Sequence, residues 1–438
     1  MRCWIVATYE PLPEVDVSAR LLRCGTLAQQ LTDDGDEVTW WSSTFHHVRK
    51  ENRFESSRTI EVRDGLRLEL LHAPPYRRNV SLRRVRHNRA MARAFWTAAS
   101  SIDERPDVIF AAVPSLELAE SAVRHAVERG IPIVIDARDK WPDVYLNAVP
   151  PALRSAARRT LGSEFDRARR IFSAATGITG ISDAYLEWAL GYAGRERSAR
   201  DAVVPLGFPI PDALSAAEVE GRMLQLRDSL ELSPSHCVVT FLGMFGLSYD
   251  LECVVAAARL LHEAGDESVR IVLAGTGEAE GRIRRLADGL PNVRFPGWLN
   301  QGDAWALLHA SRAGLAPYHA DATQSLPNKG FEYMAAGIPV ISSLGGELRQ
   351  LLDEEGVGLT YRAGDAASLA GALRRLASDD TERRAMGARG RRLYDQRYST
   401  SAIYSGLARH LRDVASSGAA PESEAIEASV CLARGGVS

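Results

Sequence analysis

The 438-residue sequence predicts two Rossmann-like α/β domains joined by a stiff connector. Short apolar runs alternate with amphipathic stretches up to Ile181, and the alternation starts afresh at Cys237. That is the pattern of βαβ units laid on a parallel sheet. Between the two halves lies Val203-Val204-Pro205-Leu206-Gly207-Phe208-Pro209-Ile210-Pro211, rich in Pro and suited to an extended linker. The expected division is an N-terminal domain over 1–205, a C-terminal domain over 206–395, a final helix over 396–415 and a disordered tail over 416–438.

Bulk properties narrow the function classes. Hydrophobic residues make up 45% and charged residues 25%, as in an ordinary globular chain. The net charge of −3 offers no footprint for nucleic acid. Cys3, Cys24, Cys237, Cys253 and Cys431 are scattered without a CxxC pair, which argues against a disulfide framework or a cysteine metal site. No apolar run reaches the roughly 18–20 residues that span a bilayer. The opening Met1-Arg2-Cys3-Trp4-Ile5-Val6 is too short for a signal peptide and reads as a strand. A cytoplasmic protein is expected, with at most peripheral contact at the inner face of the membrane.

In the N-terminal half, Cys3–Tyr9 reads as the first strand and Ser18–Leu31 as a helix. Val38–Trp41, Leu66–Leu71, Asp107–Val113, Ile131–Ile135 and Phe172–Ile181 read as further strands. Ser115 is placed to cap a helix that Gly130 ends, and Ser182 or Asp183 to cap another. Ligands of parallel sheets gather at the carboxyl ends of strands. Two blocks fall there. His46 and His47 follow the second strand, in a loop that ends at Lys50. Arg138, Asp139, Lys140 and Asp143 follow Ile135, stiffened by Trp141-Pro142. Such charges are costly to bury unless paired or used. The plainer alternative is a solvated turn with an Arg138–Asp139 or Arg138–Asp143 ion pair. In Leu82–Trp96, Arg83, Arg84, Arg86, Arg89 and Arg93 accompany Leu82, Val85, Ala92 and Phe95 at helical spacing. This is either a solvated helix face or a basic amphipathic helix for an anionic membrane surface.

In the C-terminal half, Cys237–Leu242, Val269–Ala274, Val293–Phe295 and Ala313–Ala316 read as strands. Three of them run into glycine-bearing turns: Gly243-Met244-Phe245-Gly246, Gly275-Thr276-Gly277-Glu278 and Gly297-Trp298. Glycine there lets backbone approach a phosphate or base closely. Leu251–Ala264, a segment through Leu290, Asp365–Ser378 and Tyr398–Val414 read as helices.

The loop-helix-strand stretch Gln324–Ile341 carries the chemistry. Pro327 marks a helix start, while Gly337 and Pro339 mark its end. A helix N-terminus holds phosphate well. Lys329 adds a cation in the first turn, a position the helix dipole disfavours unless an anion accompanies it. Glu332 lies three residues on and shares its face. The sequence has 53 Lys and Arg residues, but only Lys50, Lys140 and Lys329 are lysines. One face thus offers a cation for phosphate and a carboxylate for sugar hydroxyls, the equipment for a sugar nucleotide.

Gln324–Ile341 resembles the donor-site signature of retaining glycosyltransferases of family 4, which have the GT-B fold. In that family two Glu residues with seven residues between them bracket the loop. Glu332 matches the second, which binds the nucleotide ribose, and the first falls on Gln324. The Pro-Asn-Lys-x-Phe-Glu-Tyr form resembles a subgroup that builds capsule, O-antigen and related surface polysaccharides, where the Lys contacts the diphosphate. Further blocks of that subgroup match Ser43–Lys50, Arg138–Asp143 and Gly180–Asp183, in order. The sequence departs in the first βα turn, where Pro13-Glu14-Val15-Asp16-Val17-Ser18 replaces a Gly-Gly pair.

The resemblance implies a GT-B architecture: two Rossmann-like domains facing across a cleft, with the C-terminal helix crossing back to the first. It implies transfer of a hexosyl-type sugar, with retention and without an essential metal. The donor is a nucleoside-diphosphate sugar, expected to be a UDP-sugar; the acceptor is a glycan, lipid-linked sugar or metabolite. The donor would lie against Gly243, Phe245, Gly246, Gly275, Gly277, Glu278, Gly297, Trp298, Gln324, Leu326, Pro327, Asn328, Lys329 and Glu332. Gly243–Gly246 would approach the diphosphate, and Gly275–Glu278 with Gly297–Trp298 would frame base and ribose. The candidate catalytic set is Asp139, Arg138, His46, His47 and Lys329. No Asp-x-Asp metal box stands out. Peripheral membrane contact would run through Leu82–Trp96. Two rivals share the fold: a non-hydrolysing nucleotide-sugar 2-epimerase and a non-catalytic GT-B partner subunit, the latter kept open by Gln324. No GxGxxG follows the first strand, which disfavours an NAD dehydrogenase.

Overall fold

The computed structural model describes residues 1–16, 21–79, 81–147, 149–210, 214–246 and 248–418. They form two compact units, one of 1–205 with the segment from Ile403, the other of Leu206–Ala402. The expected start of the first helix at Ser18, and the tail from residue 419 onward, lie outside the described residues.

The strands of the first unit are β1 (Arg2–Val6), β2 (Glu37–Ser43), β3 (Phe45–His46), β4 (Glu51–Asn52), β5 (Arg58–Arg63), β6 (Leu66–Leu71), β7 (Val108–Val113), β8 (Ile133–Ala137), β9 (Gly177–Gly180) and β10 (Ala202–Val203). Eight of them make one sheet in the order β10-β9-β8-β7-β1-β2-β6-β5. All its pairings are parallel except the edge pair β5–β6. Strand order reverses at β1, which puts the switch point between the carboxyl ends of β1 and β7. The pleat of β1 explains why both faces are covered. Trp4 and Val6 join one apolar cluster, with Met91, Phe95 and Ala122 from two helices. Cys3 and Ile5 join the other, with Leu27, Leu31, Leu407 and Leu411. Successive side chains point to opposite faces, so a strand buried on both sides is apolar throughout.

The strands of the second unit are β11 (Cys237–Leu242), β12 (Val269–Ala274), β13 (Val293–Gly297), β14 (Ala313–Ala316), β15 (Val340–Ser342) and β16 (Gly358–Thr360). Their order is β13-β12-β11-β14-β15-β16, all parallel. The switch point lies between β11 and β14. Two Rossmann-like sheets are therefore present.

Several local expectations need correction. Phe172–Ile181 is not one strand. Phe165, Ala168, Ile171 and Phe172 are buried at helical spacing on the helix Gly162–Ser173, and only Gly177–Gly180 enters the sheet. The segment after Glu278 is helical over Glu280–Leu286 and stops before Gly289, which turns with φ +74°. Ser115 caps its helix by accepting from Leu118 N, and Gly130 ends it in the left-handed region. Ser182 holds the N-cap position, but its hydroxyl makes no cap. The helix Leu82–Ser100 does not carry Leu82, Val85, Ala92 and Phe95 on one exposed face. Phe95 is buried in the core, whereas Leu82 is 88% exposed. The final helix spans Thr400–Ser416 and packs on the first unit through Ile403, Leu407, Leu411 and Val414.

Candidate active site

The second unit concentrates its chemistry at the β11/β14 switch point. Lys329 sits in the first turn of the helix Asn328–Ala335, whose N-cap is Pro327 and which no side chain caps. Its first-turn N–H groups thus have no side-chain acceptor. Lys329 is only 6% exposed. Its ammonium donates to the carbonyl of Leu242, at the end of β11. It also lies over the rings of Phe241 (4.3 Å) and Tyr249 (4.9 Å). Aromatic faces tolerate a cation there without replacing a counter-ion. Burial pulls the ammonium down to about 8, with Glu332 opposing. Lys329 and Glu332 form no salt bridge with each other, and Glu332 stays half-buried. The site therefore holds a buried cation on one carbonyl and two rings, beside a carboxylate it does not touch.

Glycine makes this approach feasible. A Cβ at Gly243 would lie 2.6 Å from Lys329 Nζ, and φ there is +144°. At Gly275, φ is +139° and a Cβ would run into the carbonyl of Gly243. The three turns are tied together: Gly243 N donates to Ala274 O (3.0 Å), Phe245 N to Thr276 O (2.9 Å) and Gly275 N to Gly297 O (2.8 Å). The structure thus brings Gly243, Phe245, Gly275, Gly277 and Gly297 to one edge with Lys329. Glu278, Trp298 and Asn328 are exposed and make no hydrogen bond to it. Leu326 packs against the apolar cluster that holds Phe331. Gln324 Oε1 is shielded from solvent and accepts no hydrogen bond among the described residues.

The first unit sorts its candidates differently. Asp136, fully buried at the end of β8, accepts from Arg23 Nε and Nη2 (both 2.8 Å), Arg138 Nε (2.6 Å) and Thr179 Oγ1 (2.6 Å). Burial alone would raise this carboxyl; the two guanidiniums outweigh it and hold it at about 2. Arg138 also reaches Glu10 and the sulfur of Cys24. The pairing of Arg138 with Asp139 or Asp143 is therefore not formed, because the fully buried Asp136 needs compensating charge more than these half-buried acids do. Asp139 instead accepts from Lys140 N (2.8 Å) and Trp141 Nε1 (2.9 Å). Asp143 accepts from Trp188 Nε1 (3.0 Å) and Tyr192 OH (2.6 Å).

His46 and His47 part ways. His46 Nδ1 accepts from Arg49 N (3.1 Å), and its Nε2 lies 3.8 Å from Asp16. His47 Nδ1 is 2.5 Å from Tyr76 OH, and its ring packs on Tyr9 at 4.7 Å. Burial, with Lys50 and Arg84 nearby, pulls His47 down to about 4, so it is neutral at pH 7. Tyr9, Tyr76 and Arg84 complete this corner and were not singled out as site residues from sequence. Tyr9 has φ +73° just beyond β1, a feature that no sequence pattern announces. Phe241 and Tyr249 were missed likewise. Among the described residues no three His, Cys, Asp or Glu side chains converge to hold a metal ion.

Comparisons with known proteins bear on the fold and on the second unit. Residues 236–379 match the family model of group 1 glycosyl transferases. That span contains the β11–β12 glycine turns, Gln324, Lys329 and Glu332. The chain is 29% identical over 249 residues to a phosphatidyl-myo-inositol mannosyltransferase of Mycobacterium leprae, covering 55% of this chain and 60% of that protein. It is 31% identical over 140 residues to the lipopolysaccharide core biosynthesis glycosyltransferase LpsD of Rhizobium meliloti, covering 31% and 39%. The chain thus spans less than two thirds of each of these curated relatives. Sucrose-phosphate synthase of Thermosynechococcus elongatus superposes with a TM-score of 0.70 at 18% identity, covering 95% of this chain and 99% of that one. Anabaena HepE, solved with UDP, superposes at 0.65 and 14% identity, covering 94% and 100%. The fold is GT-B.

Proposed function

We propose that the protein is a glycosyltransferase whose second unit binds a nucleoside-diphosphate sugar and whose first unit receives the acceptor. The observation that carries this reading is Lys329: a buried cation at an uncapped helix N-terminus, beside two glycine turns and a carboxylate three residues on. Desolvated charge of that kind is stabilised by a phosphate and costs folding energy without one. The group 1 match over the same span supports the reading.

In this reading Lys329 and the first-turn amides take up charge that develops on the departing diphosphate, which preorganised donors do at little reorganisation cost. Glu332 accepts from the ribose. Gln324 Oε1, shielded and without a donor, accepts from a hydroxyl of the donor sugar. UDP is the proposed nucleotide; HepE, of the same fold, was solved with UDP and with UDP-glucose. Retention, a hexosyl sugar, independence from metal and the absence of a further cofactor complete the proposal. Asp139 and neutral His47 are the proposed acceptor-side groups. Arg138, engaged with Asp136 and Glu10, is proposed as a positioning residue. The acceptor is a glycan, lipid-linked sugar or metabolite. Peripheral membrane contact is proposed through the N-terminal end of Leu82–Ser100.

The test is thermal unfolding of the purified chain with UDP, GDP, ADP, CMP and dTDP. A ligand that binds only the folded state stabilises it by about 2.7 kcal/mol at a hundredfold excess over Kd. The expected result is a shift with one diphosphate, UDP first, that Lys329→Ala abolishes. No shift with any of the five rejects the donor site.

A further inference from the structure

We infer that the acceptor site in the first unit takes a phosphate-bearing molecule, recognised by Lys50 and Arg84. This rests on the donor-and-acceptor reading above and narrows its acceptor class. The two cations come from distant points of the sequence and meet at one spot. Lys50 closes the β3–β4 hairpin that follows the carboxyl end of β2. Arg84 lies in the first turn of the helix Leu82–Ser100. Asn79 joins them, its Oδ1 accepting from Lys50 Nζ (2.5 Å) and its backbone carbonyl from Arg84 Nη1 (3.0 Å). Both lie over the ring of Tyr76, at 5.1 and 6.0 Å. Arg84 also stands over Tyr9 and Trp141, at 5.3 and 5.1 Å. These positions follow the ends of β2, β6, β1 and β8, so the spot sits at the ligand-binding edge of the sheet.

No acid answers these charges. Neither Lys50 nor Arg84 forms a salt bridge among the described residues, whereas elsewhere in the unit Arg53 pairs with Asp16 and Arg167 with Glu164. Arg84 Nε is shielded from solvent and donates to nothing described. The pair thus places two like charges against one aromatic ring and leaves a guanidinium donor unused. Like charges held together are unfavourable unless an anion lies between them. A fork of guanidinium donors with an adjacent ammonium suits phosphate. Lys140, over Tyr185 at 4.8 Å, adds a further cation at the same sheet edge and forms no ion pair among the described residues.

The experiment follows binding to the full chain by thermal shift at matched ionic strength. The probes are glucose 6-phosphate and inorganic phosphate, with glucose and chloride as controls, and vesicles of phosphatidic acid against phosphatidylcholine. Phosphate-dependent binding is expected in the wild type. Lys50→Gln and Arg84→Gln should each weaken it about tenfold or more. It should persist in Lys329→Gln, which separates this site from the donor side. A retained UDP response in Lys50→Gln and Arg84→Gln shows that both still fold. Response to the soluble phosphates assigns a free phosphorylated acceptor, whereas response to phosphatidic acid alone assigns phosphate on a lipid. Binding unchanged in both variants, or none with any phosphate probe, overturns the inference. Loss of the UDP response in the wild type would instead count against the donor reading and leave this site standing.

Discussion

Lys329 shows how one residue can carry a functional reading. Its ammonium is pulled down to about 8 by burial. A lysine depressed below its unfolded value opposes folding once pH falls below that unfolded value, near 10.4. The cost grows down to about 8 and is complete below it. A bound diphosphate would reverse the shift and raise the ammonium again. Binding near pH 8–9 should therefore take up a proton, and affinity should be flat below about 8 and decline above it. Calorimetry in buffers of differing ionisation heat checks this, and Lys329→Met should abolish the uptake. A wild type that binds UDP with no proton uptake at pH 8.5 would refute it. The residue itself was legible, because a scarce lysine sat in a helix first turn. Its surroundings were not. Leu242, Phe241 and Tyr249 lie some eighty residues upstream in the sequence, and only the parallel sheet brings them to it. The same holds for Arg138. Its acidic neighbours in sequence suggested local pairs, while the buried carboxylates it compensates are Asp136 and the distant Glu10.

At the scale of elements, periodicity located the βαβ strands well, because buried parallel strands are apolar runs between turn residues. It failed where an apolar helix end runs on into a strand, as at Phe172, and at β5, whose alternating exposed residues make an antiparallel edge. The helix Leu82–Ser100 is the informative case. Spacing alone groups Leu82 with Phe95, but Phe95 faces the core and Leu82 faces out. What remains outside is a shallow groove lined by Pro74, Leu82, Val85, Arg86, Arg89 and Arg93, with Leu82 almost wholly exposed. An exposed leucine ringed by arginines suits an anionic lipid surface. Flotation with phosphatidylglycerol vesicles should recover the wild type. Leu82→Asp should lower recovery severalfold, and raised salt should lower it further. Equal recovery of wild type and variant would remove this helix from any membrane role. No helix among the described residues is long and apolar enough to cross a membrane.

At the scale of the molecule, the first unit is built from two separated pieces of chain. The helix Thr400–Ser416 supplies Leu407 and Leu411, both fully buried, to the cluster that also holds Ile5, Leu27 and Trp40. Arg412 adds ion pairs with Asp34 (2.7 Å) and Asp36 (2.6 Å). Leu407→Ala should cost about 2–5 kcal/mol. The loss should fall on the first unit, so calorimetry should show one transition lowered while the transition that responds to UDP stays in place. A shift confined to the UDP-responsive transition would contradict this division of the chain.

That discontinuity has a consequence for synthesis. Translation is vectorial, so the whole second unit emerges from the ribosome before the segment that seals the first. Until Val414 has emerged, one apolar face of the first sheet is only partly covered, by the segment that carries Leu27 and Leu31. A nascent chain stalled or cleaved before that point would carry a finished second unit tethered to an unsealed first one, the kind of species that chaperones hold and proteases remove.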